Sequence, residues 1–319
     1  MRILSFSDIH DDVEAVRRLR FLESNRFDAI IIAGDMGQNN AAEILRISLT
    51  FECPVLYVVG NHDTMSGYDG SIRAPAIHIH NGPTVIDKRC VVGYSGVDID
   101  WGCNQIANQV WDEFGPLIAK YKDLEAKDTE LAIAAAEFSI KYGFNVSRPS
   151  QQRERLHRTR PWIKYQDLIT ARRRTVFDRN IVRVSDLLKE TGMAEKNAIF
   201  VSHARTFKIQ KIMPSLGMHL FGHAHGFKDT KTGETRFVNV SALDLARSII
   251  RKKISEFKVE VPGLPTFNFG TYTVIEISKD DQIITQSIRL WSGGEEYETI
   301  RGKIEGNPSV HSESELWTG

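Results

Sequence analysis

Seven side chains that carry metal-binding nitrogen or oxygen stand just after short apolar runs in this 319-residue chain. Asp8 and His10 follow Leu4-Ser5-Phe6. Asp35 follows Ile30 to Ala33 and Gly34, and Asn61, with His62 and Asp63 behind it, follows Leu56 to Val59 and Gly60. His203 follows Ala198 to Ser202, and His223 and His225, two apart, follow His219 to Phe221 and Gly222. Each block has a plain reading on its own. Asp8 could cap the helix that starts near Val13, Gly34-Asp35 is a common turn pair, and a lone His203 is usually a satisfied core histidine. Caps and turns do not explain histidine at four of five run ends. The donors are nitrogen and oxygen only, suited to Mn2+, Fe, Zn2+ or a similar borderline ion, and too numerous for one tetrahedral site. Two ions sharing a bridging carboxylate would use them all.

The elements that must position these residues alternate. Ile3 to Phe6 reads as a strand, Val13 to Leu22 as a helix, Phe27 to Ala33 as a strand buried on both faces, Ala41 to Leu49 as a helix and Pro54 to Val59 as a strand. Further strands are expected at Val91 to Val97, Ala198 to Ser202, His219 to Phe221, Arg236 to Val240 and Tyr272 to Ile277. Such a βαβαβ start predicts an α/β fold, and the carboxyl ends of its parallel strands form the edge where ligands bind. Residues 104–196 have helical spacing and few strand signals, so they read as a long helical insertion. The expected organisation is one catalytic domain over 1–304 containing that insertion, then a polar tail over 305–319.

The series Asp-x-His, Gly-Asp, Gly-Asn-His-Asp, His and Gly-His-x-His resembles the calcineurin-like metallophosphoesterases at all five blocks, over residues 1 to about 97 and 198–245. The resemblance implies a four-layer α-β-β-α sandwich of two mixed sheets, with a dinuclear centre at the strand ends. It also implies that Asp8, His10 and His225 hold one ion, that Asn61, His203 and His223 hold the other, and that Asp35 bridges them. His62 would sit over the scissile phosphate without binding metal, and Asp63 would orient its ring. Two departures stand out. Ala204, Arg205 and Thr206 occupy positions where many relatives place a further His or Pro, and the insertion is longer than compact members need.

The implied activity is metal-dependent hydrolysis of a phosphodiester or phosphomonoester, with a nucleotide-like substrate. Two divalent transition ions about 3.5–4 Å apart polarise phosphoryl oxygens and lower the pKa of a bridging water for in-line attack. Mn2+ leads as the ion, with Fe, Zn2+ or Ni2+ as alternatives. His62 is the expected proton donor to the leaving oxygen. A second enzyme reading is an Mre-type DNA nuclease, which shares Gly-Asn-His-Asp but carries a capping domain after its last metal motif. A third is a scaffold that keeps the fold without catalysis, like the retromer subunit. Retention of all seven ligand positions and His62 speaks against it.

Composition bounds these readings. The chain has 41 Lys plus Arg against 41 Asp plus Glu, so no global field draws it to nucleic acid or membrane. Three cysteines, Cys53, Cys90 and Cys103, are too few and scattered for a disulfide framework. The N-terminal residues lack the order of a signal peptide, and no run reaches the ~20 apolar residues of a membrane span. A cytoplasmic location is therefore expected. Residues 148–183 carry 11 Lys plus Arg against 3 acids, including Arg172, Arg173 and Arg174, whereas 112–137 carry 7 acids against 3 Lys. These are either solvated helical faces or, for the basic part, a surface for a second phosphate or a polynucleotide backbone. Trp162 and Tyr165 read as core of the insertion. His78 and His80, alternating with Ile77 and Ile79, read as strand surface, and His157, His219 and His311 have no functional role.

Overall fold

The computed structural model of the chain describes residues 1–63, 76–96, 104, 181–206, 209–244 and 270–290. In chain order its elements are β1 (Arg2–Phe6), α1 (Val13–Leu22), β2 (Ala29–Ala33), α2 (Ala41–Ser48), β3 (Val55–Val58), β4 (Ile77–His78), β5 (Thr84–Ile86), β6 (Arg89–Tyr94) and a helix α3 over 181–190. There follow β7 (Ala198–Ser202), a one-turn helix α4 (Ile209–Ile212), β8 (Met218–Phe221), β9 (Lys228–Thr232), β10 (Thr235–Asn239), β11 (Thr271–Ile277) and β12 (Ile283–Arg289). The chain divides into two units, 1–107 with 181–319, and 108–180. The second unit lies outside the described residues, as do the Arg172 to Arg174 cluster, Trp162, Tyr165, His157, His311 and the 305–319 tail. Of the expected helical insertion, α3 is described and is helical.

Two mixed sheets of six strands make an α/β fold. The first has the order β12-β11-β1-β2-β3-β4 and the second β5-β6-β7-β8-β10-β9. Strands β1 to β4 run parallel, with Leu4 opposite Ile30 and Ile31 opposite Leu56. In the second sheet β6, β7, β8 and β10 are parallel, and antiparallel β5 and β9 close its two edges.

The side-chain period of two sends neighbouring residues to opposite faces, and here both faces of the first sheet are dry. Leu4, Phe6, Ile30, Ile32 and Tyr57 pack with Ala15, Val16 and Leu19 of α1 and Ile44 and Leu45 of α2. Ile3, Ala29, Ile31, Leu56 and Val58 pack instead with Val91, Ile199, Val201, Leu220 and Val238 of the second sheet. Every residue of β2 is buried, which accounts for its unbroken Ala-Ile-Ile-Ile-Ala. Burying each such isoleucine contributes about 1.5–3 kcal/mol, so the strand ends project from a rigid double layer.

Helix α1 is capped by Asp12, whose side chain accepts from Ala15 N at 3.0 Å. Asp8 is thus free of the capping role that its sequence position allows. Strand β6 begins at Arg89, two residues before its sequence signal, while Val97 lies outside the described residues. No helix among the described residues is long and apolar enough to cross a membrane.

Candidate metal centre

The loops after β1, β2, β3, β7 and β8 meet at the carboxyl ends of both sheets. Asp8 N donates to Gly34 O (3.1 Å), Ile9 N and His10 N donate to Asp35 O, and Gly222 N donates to His203 O. Positive φ marks Asp8 (50°), His10 (46°), Asp35 (54°), His223 (65°) and His225 (48°). Left-handed backbone is uncommon outside glycine, and such strain concentrates at functional sites where the surrounding structure imposes it. Two glycines permit the closest approaches. A Cβ on Gly60 would lie 2.0 Å from Asp35 Oδ1, and one on Gly222 would lie 2.2 Å from Ser7 Oγ.

Three groups of potential ligand atoms result, each within 4.8 Å: Asp8, His10 and His225; Asp35, His203 and His223; and His10, Asp35 and His62. Asp35 Oδ2 lies 3.1 Å from His203 Nε2 and 3.4 Å from His10 Nε2, while its Oδ1 accepts from His62 N (2.8 Å). Asp8 Oδ1 lies 3.2 Å from His225 Nε2 and 3.9 Å from His203 Nε2, and its Oδ2 accepts from His223 N (2.9 Å). The Asn61 side chain is buried nearby in sequence to His62, whose ring meets that of His10 edge-on at 5.1 Å.

Ring tautomers follow from fixed partners. His203 Nδ1 lies 2.9 Å from the Ala33 carbonyl, which can only accept, so Nδ1 carries the hydrogen and Nε2 turns inward bare when the ring is neutral. His10 Nδ1 faces Asp244 Oδ2 at 2.7 Å. Asp244 is a residue the sequence reading missed. Its signal was available, because it too is an acid shortly after an apolar strand, β10, with Val240 and Leu243 between.

Three buried ligand-type side chains keep four atoms without hydrogen bonds: Asp8 Oδ1, His203 Nε2, and both Oδ1 and Nδ2 of Asn61. Buried polar atoms are nearly always satisfied, so Asp8 Oδ1 and His203 Nε2, unsatisfied and 3.9 Å apart, fit metal ions as the missing partner. The electrostatics agree. Burial alone would raise the pKa of Asp8, but His225 and His203 hold it well below the usual carboxylate range. Asp35 is likewise held down, against burial, by His203 and His10. Burial opposes charge on His10 and His203, yet Asp244 and Asp35 raise His10 to about 12, and Asp35 raises His203 to about 9. The pocket therefore calls for positive charge. Burial lowers His62, and burial, with His203 beside the ring, lowers His223 to about 4.

Asp63 is buried and bonded to backbone. Its Oδ2 accepts from Asp35 N (2.9 Å) and Gly60 N (2.7 Å), and its Oδ1 accepts from Gly37 N (2.8 Å). With these backbone amides the carboxylate clasps the loops after β2 and β3. Burial and the nearby Asp35 push it up to about 7.

His78 also differs from its surface reading, for it is Ile77 that is 40% exposed and His78 that is buried. The alternation ends with β4 at His78, because Ile79 is fully buried and begins a 3-10 turn over Ile79–Asn81. His78 Nε2 lies 2.8 Å from Ser95 Oγ, which accepts from Val59 N (3.0 Å) at the root of the Asn61 loop. His80 stacks behind His78 at 5.6 Å.

Residues 1–153 match the family model for the calcineurin-like phosphoesterase superfamily domain. The match places this stretch, just under half of the chain, with the calcineurin-like phosphoesterases. The family match includes the Asp8, Asp35 and Asn61 blocks, and the fold brings His203, His223 and His225 toward them from beyond its end. Solved structures similar to it include TT1561 of Thermus thermophilus, at 13% identity and TM-score 0.47, covering 91% of this chain and 99% of that one. Phosphopantetheinyl hydrolase of Mycobacterium tuberculosis is similar at 13% identity and TM-score 0.35, covering 75% and 88%. GAP50, the anchor in the inner membrane complex of Plasmodium, is similar at 10% and 0.43, covering 92% and 86%. With TM-scores below 0.5, these neighbours add nothing to the assignment. No curated protein matches this chain.

Proposed function

We propose that the chain is a dinuclear metal-dependent phosphohydrolase acting on a phosphodiester or phosphomonoester of a nucleotide-like molecule. The observation that carries this reading is Asp35 Oδ2 set between the Nε2 atoms of His203 and His10, at 3.1 and 3.4 Å, amid orphaned buried donors. Asp8, His10 and His225 are proposed to hold one ion, Asn61, His203 and His223 the other, and Asp35 both. Bound divalent ions would supply the positive charge that polarises phosphoryl oxygens and makes water acidic enough to attack near neutral pH. Mn2+ is the proposed ion, because carboxylate and amide oxygens share the site with imidazoles and no thiolate belongs to the set; Fe, Zn2+ and Ni2+ suit the same donors.

The chain's own residues supply the rest. Asp63 fixes the two loops that present Asp35 and Asn61. His62, the one imidazole among the five left without an ion, hydrogen-bonds or protonates the leaving oxygen. Its backbone N–H, held by Asp35 Oδ1, keeps that ring beside the centre.

The test is a hydrolysis screen of Mn2+-loaded protein on bis(p-nitrophenyl) phosphate, p-nitrophenyl phosphate, cyclic nucleotides and single-stranded DNA. Metal-dependent turnover of a small ester supports the proposal. Degradation confined to DNA would favour the nuclease reading, and loaded protein inert on all four would favour the scaffold.

A further inference from the structure

We infer that Asp244 is a positioning residue of the metal centre, holding the His10 imidazole with Nδ1 protonated and Nε2 turned toward Asp35. The inference rests on the metal-centre reading above. Asp244 Oδ2 lies 2.7 Å from His10 Nδ1, and the side chains are 4% and 26% exposed. An ionised carboxylate only accepts, so the shared hydrogen sits on Nδ1. Nε2, on the opposite side of the ring, remains 3.4 Å from Asp35 Oδ2.

The pairing is built in although 234 residues separate the partners. Leu243 N donates to Ser7 O (2.9 Å), Asp244 N donates to Asp8 O (3.1 Å), and Ser7 and Ala242 form a parallel bridge. The backbone contacts that place Asp8 thus place Asp244 as well. The two rings flanking Asp35 Oδ2 are oriented by different means. His203 is fully buried and has the Ala33 carbonyl on its Nδ1, whereas the more exposed His10 has a carboxylate. A carboxylate on the far nitrogen both fixes the ring and makes the inward nitrogen a better donor, which is worth about 10–100-fold in metal affinity.

Metal-free wild type, Asp244→Asn and Asp244→Ala can be titrated with Mn2+, free ion being counted by electron paramagnetic resonance, with melting recorded for each. Wild type should take up two ions. Asp244→Ala should lose about 10–100-fold in affinity for one ion and little for the other. Asp244→Asn should lose less, because its amide oxygen still accepts from Nδ1. In Zn2+-loaded wild type, the His10 Nδ1 hydrogen should give a slowly exchanging downfield proton resonance that Asp244→Ala lacks. Affinities for both ions that are equal in all three proteins, with or without a change in melting, would overturn the inference. A wild type that takes up no Mn2+ would overturn the metal-centre reading itself, and this inference with it.

Discussion

His203 hydrogen-bonds through Nδ1 to the carbonyl of Ala33, 2.9 Å away, and so ties the end of β7 in one sheet to the end of β2 in the other. The same ring sets its Nε2 3.1 Å from Asp35 Oδ2. One imidazole therefore joins the sheets and counters a buried carboxylate. In metal-free protein, His203→Ala should destabilise the fold by about 3–5 kcal/mol, the usual cost of stranding a buried charge. Urea unfolding checks this, and an unchanged midpoint would show that Asp35 has another counter-charge.

Gly60 has no room for a side chain, because a Cβ would lie 2.0 Å from Asp35 Oδ1 and 2.5 Å from Asp35 N. Gly60→Ala should push the Asn61 loop away from Asp35. Far-ultraviolet circular dichroism should stay near wild type while Mn2+ binding falls at least tenfold.

Removing the carboxylate of Asp63 leaves three backbone amides without their acceptor, those of Asp35, Gly37 and Gly60. At about 1–3 kcal/mol for each buried group left unsatisfied, Asp63→Ala should destabilise by roughly 3 kcal/mol or more in chemical denaturation. A loss under about 1 kcal/mol would mean that water replaces the clasp.

His62→Ala should cut turnover about 10²–10⁴-fold while leaving the number of bound ions unchanged, if its ring serves the leaving oxygen. The effect should shrink for substrates whose leaving group is already a good anion, such as p-nitrophenolate. Equal turnover of an alkyl ester by wild type and variant would remove this role.

Burial lowers His219 to about 3. Its Nε2 lies 2.8 Å from Ser202 Oγ, whose own hydrogen goes to Ala204 O (2.7 Å), so Nε2 is the protonated nitrogen. In the unfolded chain the ring titrates near 6.5. As pH falls below 6.5 the unfolded state binds a proton that the folded state refuses, so stability is lost down to about pH 3, by roughly 1.4 kcal/mol per pH unit. In His219→Gln this dependence is absent, and its stability relative to wild type should improve on acidification. Parallel curves from pH 7 to 4 would contradict the assignment.

The elements that place the site were legible because their burial is one-sided or complete. Helix α1 and β7 fall on their sequence boundaries, and β2 reads from its apolar run. Strand β9, Lys-Asp-Thr-Lys-Thr, is an edge strand with partly or fully exposed residues, so nothing apolar marks it. Strand β12, at the edge of the first sheet, alternates only between intermediate and exposed positions, and β4 is too short for any period to show. At the site, residue type and position after a strand sufficed to gather the donors. They could not show which partner each carboxylate takes. Asp63 turns to backbone amides and Asp244 to His10, since loop closure, set by contacts across more than 200 residues in the second case, decides both.

The proposed centre holds two ions. Elemental analysis of Mn2+-loaded protein after gel filtration, with Asp35→Asn alongside, tests it most directly. Two transition ions per wild-type chain, and fewer in Asp35→Asn, are predicted. Wild type that emerges with no bound ion would contradict it.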